Sequence, residues 1–339
     1  MEPLNSIEVP RIAGTLSVVI PCYNEEESLP ILRRRLVAAL DKLGVAWEAV
    51  LVDDGSRDRT RALLEEFHQQ DPRFRMLGLS RNFGHQAAVL AGLSAATGAV
   101  VAVMDADLQD PPEILEECLE KWKAGFHVVF AIRTKRKEGI LKRASYSAFY
   151  RLLRQLADVE IPLDSGDFCL MDRSVVDVLT QMPERNIFVR GMRAWAGFRQ
   201  VGVPYERDSR AAGSTKYPFK KLVRLALDGV FSFSTLPLRL ATWSGLVVLA
   251  ICFVGIVLVF IWKLTNVRFM GHTAAEIPGW SAGMVAVLFL GGVQLLILGI
   301  LGEYVARIYD EVKRRPRWIV NQALGVAADD LQVREESHL

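Results

Sequence analysis

Residues 240–262 and 277–302 of this 339-residue chain are dominated by large apolar residues and glycine and contain no Asp, Glu, Lys or Arg. Over the whole chain charge is plentiful, with 41 basic and 39 acidic residues giving a net charge of +2. A helix of ~20 apolar residues spans a hydrocarbon core about 30 Å thick, whereas buried helices of soluble proteins use apolar runs of about 10–14 residues. Two transmembrane helices are therefore expected, at about 240–262 and 278–302. Trp243, Trp262 and Trp280 stand at or near their ends, as interfacial anchors do.

Other absences narrow the reading further. The four cysteines, Cys22, Cys118, Cys169 and Cys252, have neither paired nor metal-ligand spacing, which excludes a disulfide framework and a thiolate metal site. The first apolar run, 16–20, is too short for a signal peptide, so the N-terminal part is expected to stay in the cytoplasm. Charge placement agrees. Arg239 precedes the first span, and Arg307, Lys313, Arg314, Arg315 and Arg317 follow the second, while the connecting loop has only Lys263 and Arg268 as basic residues. Both termini are thus expected to be cytoplasmic, in a multi-pass protein of a bacterial inner membrane. No internal repeat is evident, and no nucleic-acid partner is expected.

What is present before residue 231 is an alternation. Short runs rich in Val and Ile recur at 16–21, 49–52, 76–79, 100–104 and 128–132, separated by helix-patterned segments at 29–43, 60–70 and 112–123. Such alternation predicts βαβ units and an α/β, mostly parallel, Rossmann-like doubly wound sheet, whose ligands bind beyond the carboxyl ends of the strands. The candidate residues fall at those ends. Asp105-Ala106-Asp107-Leu108-Gln109 follows one strand, and in an extended segment Asp105 and Asp107 would share a face. Two carboxylates and an amide oxygen suit Mg2+ or Mn2+, which bridge to substrate phosphates, although an isolated Asp-x-Asp equally suits a turn or cap. Val52-Asp53-Asp54-Gly55-Ser56 and Pro21-Cys22-Tyr23-Asn24-Glu25 end two further strands, each readable as a structural turn or as part of a nucleoside pocket. His85 reads as a packing residue at a helix start.

Two amphipathic segments, 142–156 and 216–233, mix basic with large apolar residues and suit a membrane interface. The chain therefore divides into an N-terminal extension, 1–15; a cytoplasmic domain, 16–215, with an interface helix at about 140–156; a juxtamembrane helix, 216–235; two spans within 236–305; and a cytoplasmic tail, 306–339, polar and acidic after Val326.

Residues 18–25 (Val-Val-Ile-Pro-Cys-Tyr-Asn-Glu), 52–56, 80–84 (Ser-Arg-Asn-Phe-Gly), 105–110 (Asp-Ala-Asp-Leu-Gln-Asp) and 165–173 (Ser-Gly-Asp-Phe-Cys-Leu-Met-Asp-Arg) together resemble the inverting GT-A glycosyltransferases of family two. More narrowly they are similar to the polyprenyl-phosphate glycosyltransferases, over about residues 16–318. The resemblance implies a GT-A fold, a nucleotide-sugar donor (UDP-linked by preference), a polyprenyl phosphate acceptor and a divalent cation. It places Asp53 on the nucleoside with Pro21, Tyr23 and Glu25 beside it, and Asp105, Asp107 and Gln109 on Mg2+ or Mn2+ at the donor diphosphate. Asp167 falls near the reaction centre, as base or orienting group. Arg207, Arg210, Ser214 and Lys216 would receive the acceptor phosphate, with Arg133 a further phosphate ligand. A processive polysaccharide synthase would carry Gln-x-x-Arg-Trp, which is absent; Arg190-Gly-Met-Arg-Ala-Trp195 is the nearest string. A non-catalytic membrane scaffold would not need acidic residues at every strand end. Glycines in both spans (Gly245, Gly255, Gly291, Gly292, Gly299, Gly302) suit helix association and hence a homo-oligomer.

Overall fold

A computed structural model describes residues 14–133, 165–185, 187–205 and 279–326, together with scattered positions between 243 and 264. The interface segments at about 140–156 and 216–235, Cys252, and the acceptor candidates Arg207, Arg210, Ser214 and Lys216 lie outside the described residues. The chain divides into two compact units, one built from residues 1–155, 159–218 and 315–339, the other from 156–158 and 219–314.

The first unit is an α/β layer structure. Its strands are β1 (Leu16–Cys22), β2 (Trp47–Asp53), β3 (Phe74–Leu79), β4 (Val100–Val103), β5 (Val128–Arg133), β6 (Ser165–Asp172), β7 (Gln200–Tyr205) and β8 (Val320–Leu324). They form one sheet in the order β7-β5-β6-β4-β1-β2-β3-β8. The pairs β1/β2, β1/β4, β2/β3 and β5/β7 are parallel, while β6 runs antiparallel to β4 and β5, and β8 antiparallel to β3. The five strands expected from the apolar runs are all present, with ends moved by a few residues. β6, β7 and β8 were not anticipated.

Period-two alternation along the strands feeds two cores. Leu16, Val18 and Ile20 of β1 point to one side, where they meet α1 (Leu29–Lys42), α2 (Thr60–Gln70) and α4 (Leu115–Lys123). Val19 points to the other side, where α3 (His85–Ala95), α5 (Arg173–Gln181) and α6 (Val189–Trp195) pack. The central α3 is buried all round, from Ala87 to Leu93 and again at Ala95. It carries no amphipathic stripe and therefore no periodic signal in the sequence.

The Asp172 side chain caps α5 by accepting from the Ser174 N–H at 3.1 Å, and its other oxygen accepts from Trp122 Nε1 at 2.9 Å. The second aspartate of the 165–173 motif is therefore structural.

In the second unit, the helix Trp280–Val312 contains a stretch, Phe289–Val312, long and apolar enough to cross a membrane by length and composition, with mean hydropathy 1.7. It extends ten residues beyond the expected end at 302, so Arg307 lies within the helix rather than after it. The described positions between 243 and 264 are also helical. Leu246, Ile251, Phe253, Phe289 and Leu295 leave half or more of their surface exposed, an apolar exterior rarely left to water.

Candidate active site

Three loops at the carboxyl ends of β1, β2 and β3 are hydrogen-bonded to one another. After β1, Asn24 adopts φ 54° and its side-chain oxygen accepts from Arg57 N–H at 2.9 Å, while its own N–H donates to Ser56 Oγ at 3.0 Å. Glu25 N–H donates to Thr60 Oγ1 at 2.8 Å, and Asp54 N–H donates to the Cys22 carbonyl at 2.9 Å. Gly55 has φ 69°, and a Cβ there would meet the Arg81 carbonyl carbon at 2.5 Å, so only glycine allows the β2 loop to lie against the β3 loop.

Asp53 and Asp54 are both braces in this arrangement. Asp53 is fully buried; one oxygen accepts from Ser56 N–H at 2.9 Å and the other from Arg61 Nε at 2.8 Å. A nucleoside contact by Asp53 would require Ser56 or Arg61 to yield. Asp54 accepts from Phe83 N–H at 2.7 Å and Gly84 N–H at 3.0 Å, which fixes the turn into α3. Burial lifts its carboxyl above the ordinary range despite those two hydrogen bonds. Of the other expected nucleoside contacts, Pro21 is buried within β1, Glu25 accepts from Ser28 Oγ at 2.6 Å, and Tyr23 is exposed.

The turn held by Asp54 delivers His85 and Gln86 to a cluster of charge. His85 Nε2 lies 3.4 Å from Asp167 Oδ2 and 3.7 Å from Asp105 Oδ1. Asp167, on β6, also pairs with Arg190 Nε at 2.8 Å and accepts from Gln86 Nε2 at 3.3 Å. The Gln86 side-chain oxygen in turn accepts from Val189 N–H at 2.9 Å, so α3 holds the start of α6. Burial alone would raise the Asp167 carboxyl, but the His85 hydrogen bond and the Arg190 charge hold it well below the usual carboxylate range. Burial would lower His85, yet the hydrogen bond to Asp167 and the charge of Asp105 raise it. Asp105 is pushed up to about 6 by burial, with His85 opposing and the charges of Asp167, Asp110 and Asp107 adding.

Residues 105–110 form a turn rather than the expected extended segment. Leu108 is buried at φ 59°, and Asp107 Oδ1 accepts from Gln109 N–H at 3.1 Å, an Asx turn that bends the chain after Asp105. Asp110 is buried below and accepts from the Tyr205 hydroxyl. No group of three His, Cys, Asp or Glu side chains forms a metal site among the described residues. The chemistry still fits a divalent cation in a restricted sense. Asp105 and Asp107 are partly open, and Asp105, raised chiefly by burial, also feels the negative charges of Asp167, Asp110 and Asp107. Mg2+ commonly takes one or two carboxylates and completes its shell with phosphate oxygens and water. Arg133 ends β5, and its side chain is outside the described ones.

The structure places Asp105 near both Asp107 and Asp167, and puts His85, Gln86 and Arg190 around Asp167. His85 is no packing residue: 41% of its side chain is exposed and its ring faces two carboxylates. Its signal was the position directly after Gly84, at the head of a helix starting from a strand end. Arg190 had no signal of its own, since its partner is 23 positions away on another element.

Residues 17–180 match the family described as "Glycosyl transferase family 2". The chain is 46% identical to the glycosyltransferase YkcC of Bacillus subtilis (strain 168), over 91% of this chain and 94% of that one. It is 39% identical to the prophage bactoprenol glucosyl transferase homolog of Escherichia coli (strain K12), over 91% and 98%. It is 40% identical to the bactoprenol glucosyl transferase of Shigella phage SfII over the same shares. Among solved structures, a mannosyltransferase from Pyrobaculum calidifontis overlaps 91% of this chain and 89% of its own, at 17% identity and a TM-score of 0.42. By near full-length likeness to these relatives and by the family match over its sheet, the chain belongs to glycosyl transferase family 2 and is a glycosyltransferase of GT-A-like fold.

Proposed function

We propose that the protein transfers a sugar, with inversion at the anomeric carbon, from a nucleotide-diphosphate sugar, UDP-linked by preference, to a polyprenyl phosphate. The reaction takes place at the cytoplasmic face of a bacterial inner membrane, and the product is a polyprenyl-phosphate sugar for the cell envelope. One observation carries the reading. The carboxylate in the middle of the charge cluster, Asp167, is paired to Arg190 and held ionised, so it is a poor proton acceptor. An alcohol acceptor needs a base. A phosphate monoester, with its second pKa near 6, is already largely ionised at neutral pH and needs none. The names of the relatives at 39% and 40% identity support the same acceptor class.

In this reading an acceptor phosphate oxygen forms a bond to the anomeric carbon while the bond from that carbon to the donor diphosphate breaks, and the electron pair leaves with the nucleoside diphosphate. Asp105 and Asp107 would hold Mg2+ or Mn2+, which supplies positive charge for the departing diphosphate. Asp167 orients rather than deprotonates, and His85 and Arg190 set its rotamer from two sides. Tyr23 and Glu25 border the donor side. Arg207, Arg210, Ser214, Lys216 and Arg133 are proposed to receive the acceptor phosphate, and the apolar segments to bring the lipid to the site. Association of copies through those segments belongs to the same reading.

The test is direct. Membranes bearing the protein are incubated with polyprenyl phosphate and a panel of labelled nucleotide-sugars, and organic-soluble label is measured. One sugar is expected to enter the lipid phase. Donor binding without lipid-linked product for any sugar would sink the proposal.

A further inference from the structure

Arg317 belongs to the cluster of basic residues that follows the second apolar run, and its charge was read as a marker of membrane topology. Its side chain does something else. Nη1 donates to the Met182 carbonyl at 2.7 Å and Nη2 to the Thr180 carbonyl at 3.1 Å. Those carbonyls lie at the C-terminus of α5, where the helix cannot satisfy its own acceptors and where a cation is favoured. The next two residues continue the grip. Trp318 is buried in the core cluster that contains Met182 and Val189, against which Phe83 and Ile187 also pack. The Ile319 carbonyl accepts from Ser80 N–H at 2.9 Å, immediately beyond β3, before β8 pairs with that strand.

These contacts fall on the two chain segments that present charge to Asp167. The first runs from Ser80 to the turn at Gly84 and delivers His85 and Gln86. The second runs from Met182 to Val189 and delivers Arg190. We propose that Arg317 is a positioning residue of the transferase, fastening from behind the segment that aims Arg190 at Asp167, while Trp318 and Ile319 fasten the segment that aims His85. The strap leaves the substrates untouched and acts through Arg190 and His85. The inference rests on the reading of Asp167 as the orienting carboxylate of the transfer.

The experiment uses the full chain in detergent, with turnover read as release of nucleoside diphosphate and, separately, as lipid-linked sugar. Arg317→Met is expected to lower kcat about tenfold, since misplacing a group by ~1 Å costs up to about a hundredfold. The donor KM should stay within about twofold, because the donor side is not touched. Arg317→Lys, retaining one donor group, should recover part of the loss, and Arg315→Gln, in the same basic cluster but exposed, should match the wild type. Wild-type kcat in Arg317→Met, or a loss accounted for wholly by the unfolded fraction, overturns the inference. Wild-type release of nucleoside diphosphate without lipid product overturns the acceptor reading alone.

Discussion

Replacing Asp167 by Asn isolates the charge of the central carboxylate while leaving its shape. In the folded protein that carboxylate faces Arg190 at 2.8 Å, Gln86 at 3.3 Å and His85 at 3.4 Å, with only 17% of the side chain exposed. Removing one member of a buried pair typically costs about 3–5 kcal/mol because its partner is left uncompensated. Arg190 and His85 keep 28% and 41% of their side chains exposed, so solvent takes up part of that cost and about 1–2 kcal/mol of stability is expected to be lost. The sign of the pH dependence follows from the depressed pKa. The stabilisation is fully present above the unfolded value of about 3.9 and is lost only as pH falls through the lower folded value. Between pH 6.5 and 9 Asp167 itself stays ionised, so the stability deficit of Asp167→Asn should shrink with rising pH only as His85, whose pKa Asp167 raises, loses its proton in the wild type. Catalysis separates the two roles. Measured in a His85→Gln background, so that the imidazole beside Asp167 contributes no titration, an orienting carboxylate predicts a loss in kcat of about a hundredfold that does not change with pH across that range. A general base predicts a deficit that shrinks as pH rises and hydroxide or a more ionised acceptor takes over. The assay is kcat for lipid-linked product at five pH values, alongside thermal unfolding of each sample. A kcat deficit that shrinks as pH rises in that background would refute the assignment.

Other outcomes follow from the same geometry. Asp107→Asn should bind Mn2+ at least tenfold more weakly by calorimetry in the presence of donor and lose nearly all turnover while its unfolding midpoint stays near that of the wild type; retained metal binding would move the cation elsewhere. Gly55→Ala places a Cβ 2.5 Å from the Arg81 backbone at φ 69°, and a loss of about 1–3 kcal/mol in denaturant unfolding is expected. At the opposite edge of the sheet, Glu48 pairs with Arg75 at 2.6 Å and accepts from Ser17 and from Thr97 N–H. Burial opposes its charge, but the Ser17, Thr97 and Arg75 contacts outweigh burial and lower its pKa. Its stabilising effect is thus complete above about pH 4.3 and lost on acidification below that. Glu48→Gln should flatten the acid limb of stability and cost about 3 kcal/mol at pH 7.

Much of the fold was legible because strand and helix periods are local. The five apolar runs became β1 to β5, and α2 falls where its pattern placed it, at Thr60–Gln70. The helix α3 was not legible, since a helix enclosed on every side has no polar face to create a period. The strands β6 and β8 escaped because antiparallel additions to the sheet come from distant parts of the chain, with β8 joining β3 across some 240 positions. The turn at 105–110 was misread as extended because the left-handed Leu108 is set by its burial, which the string Asp-Ala-Asp-Leu-Gln does not announce.

By itself, then, the sequence determined the alternating architecture, the acidic strand ends, the two uncharged apolar runs and, through its motifs, the family. Each is written in residues close together in the chain. Only the tertiary structure decided what those acids do. Asp53 and Asp54 brace loops; Asp105 is raised by burial beside other carboxylates; Asp167 is neutralised by His85 and Arg190; and Arg317, one cation in a basic cluster, fastens the end of α5. A carboxylate's role depends on the charges and hydrogen bonds within a few ångströms of it, and in this fold those come from strands and helices that the sequence keeps far apart.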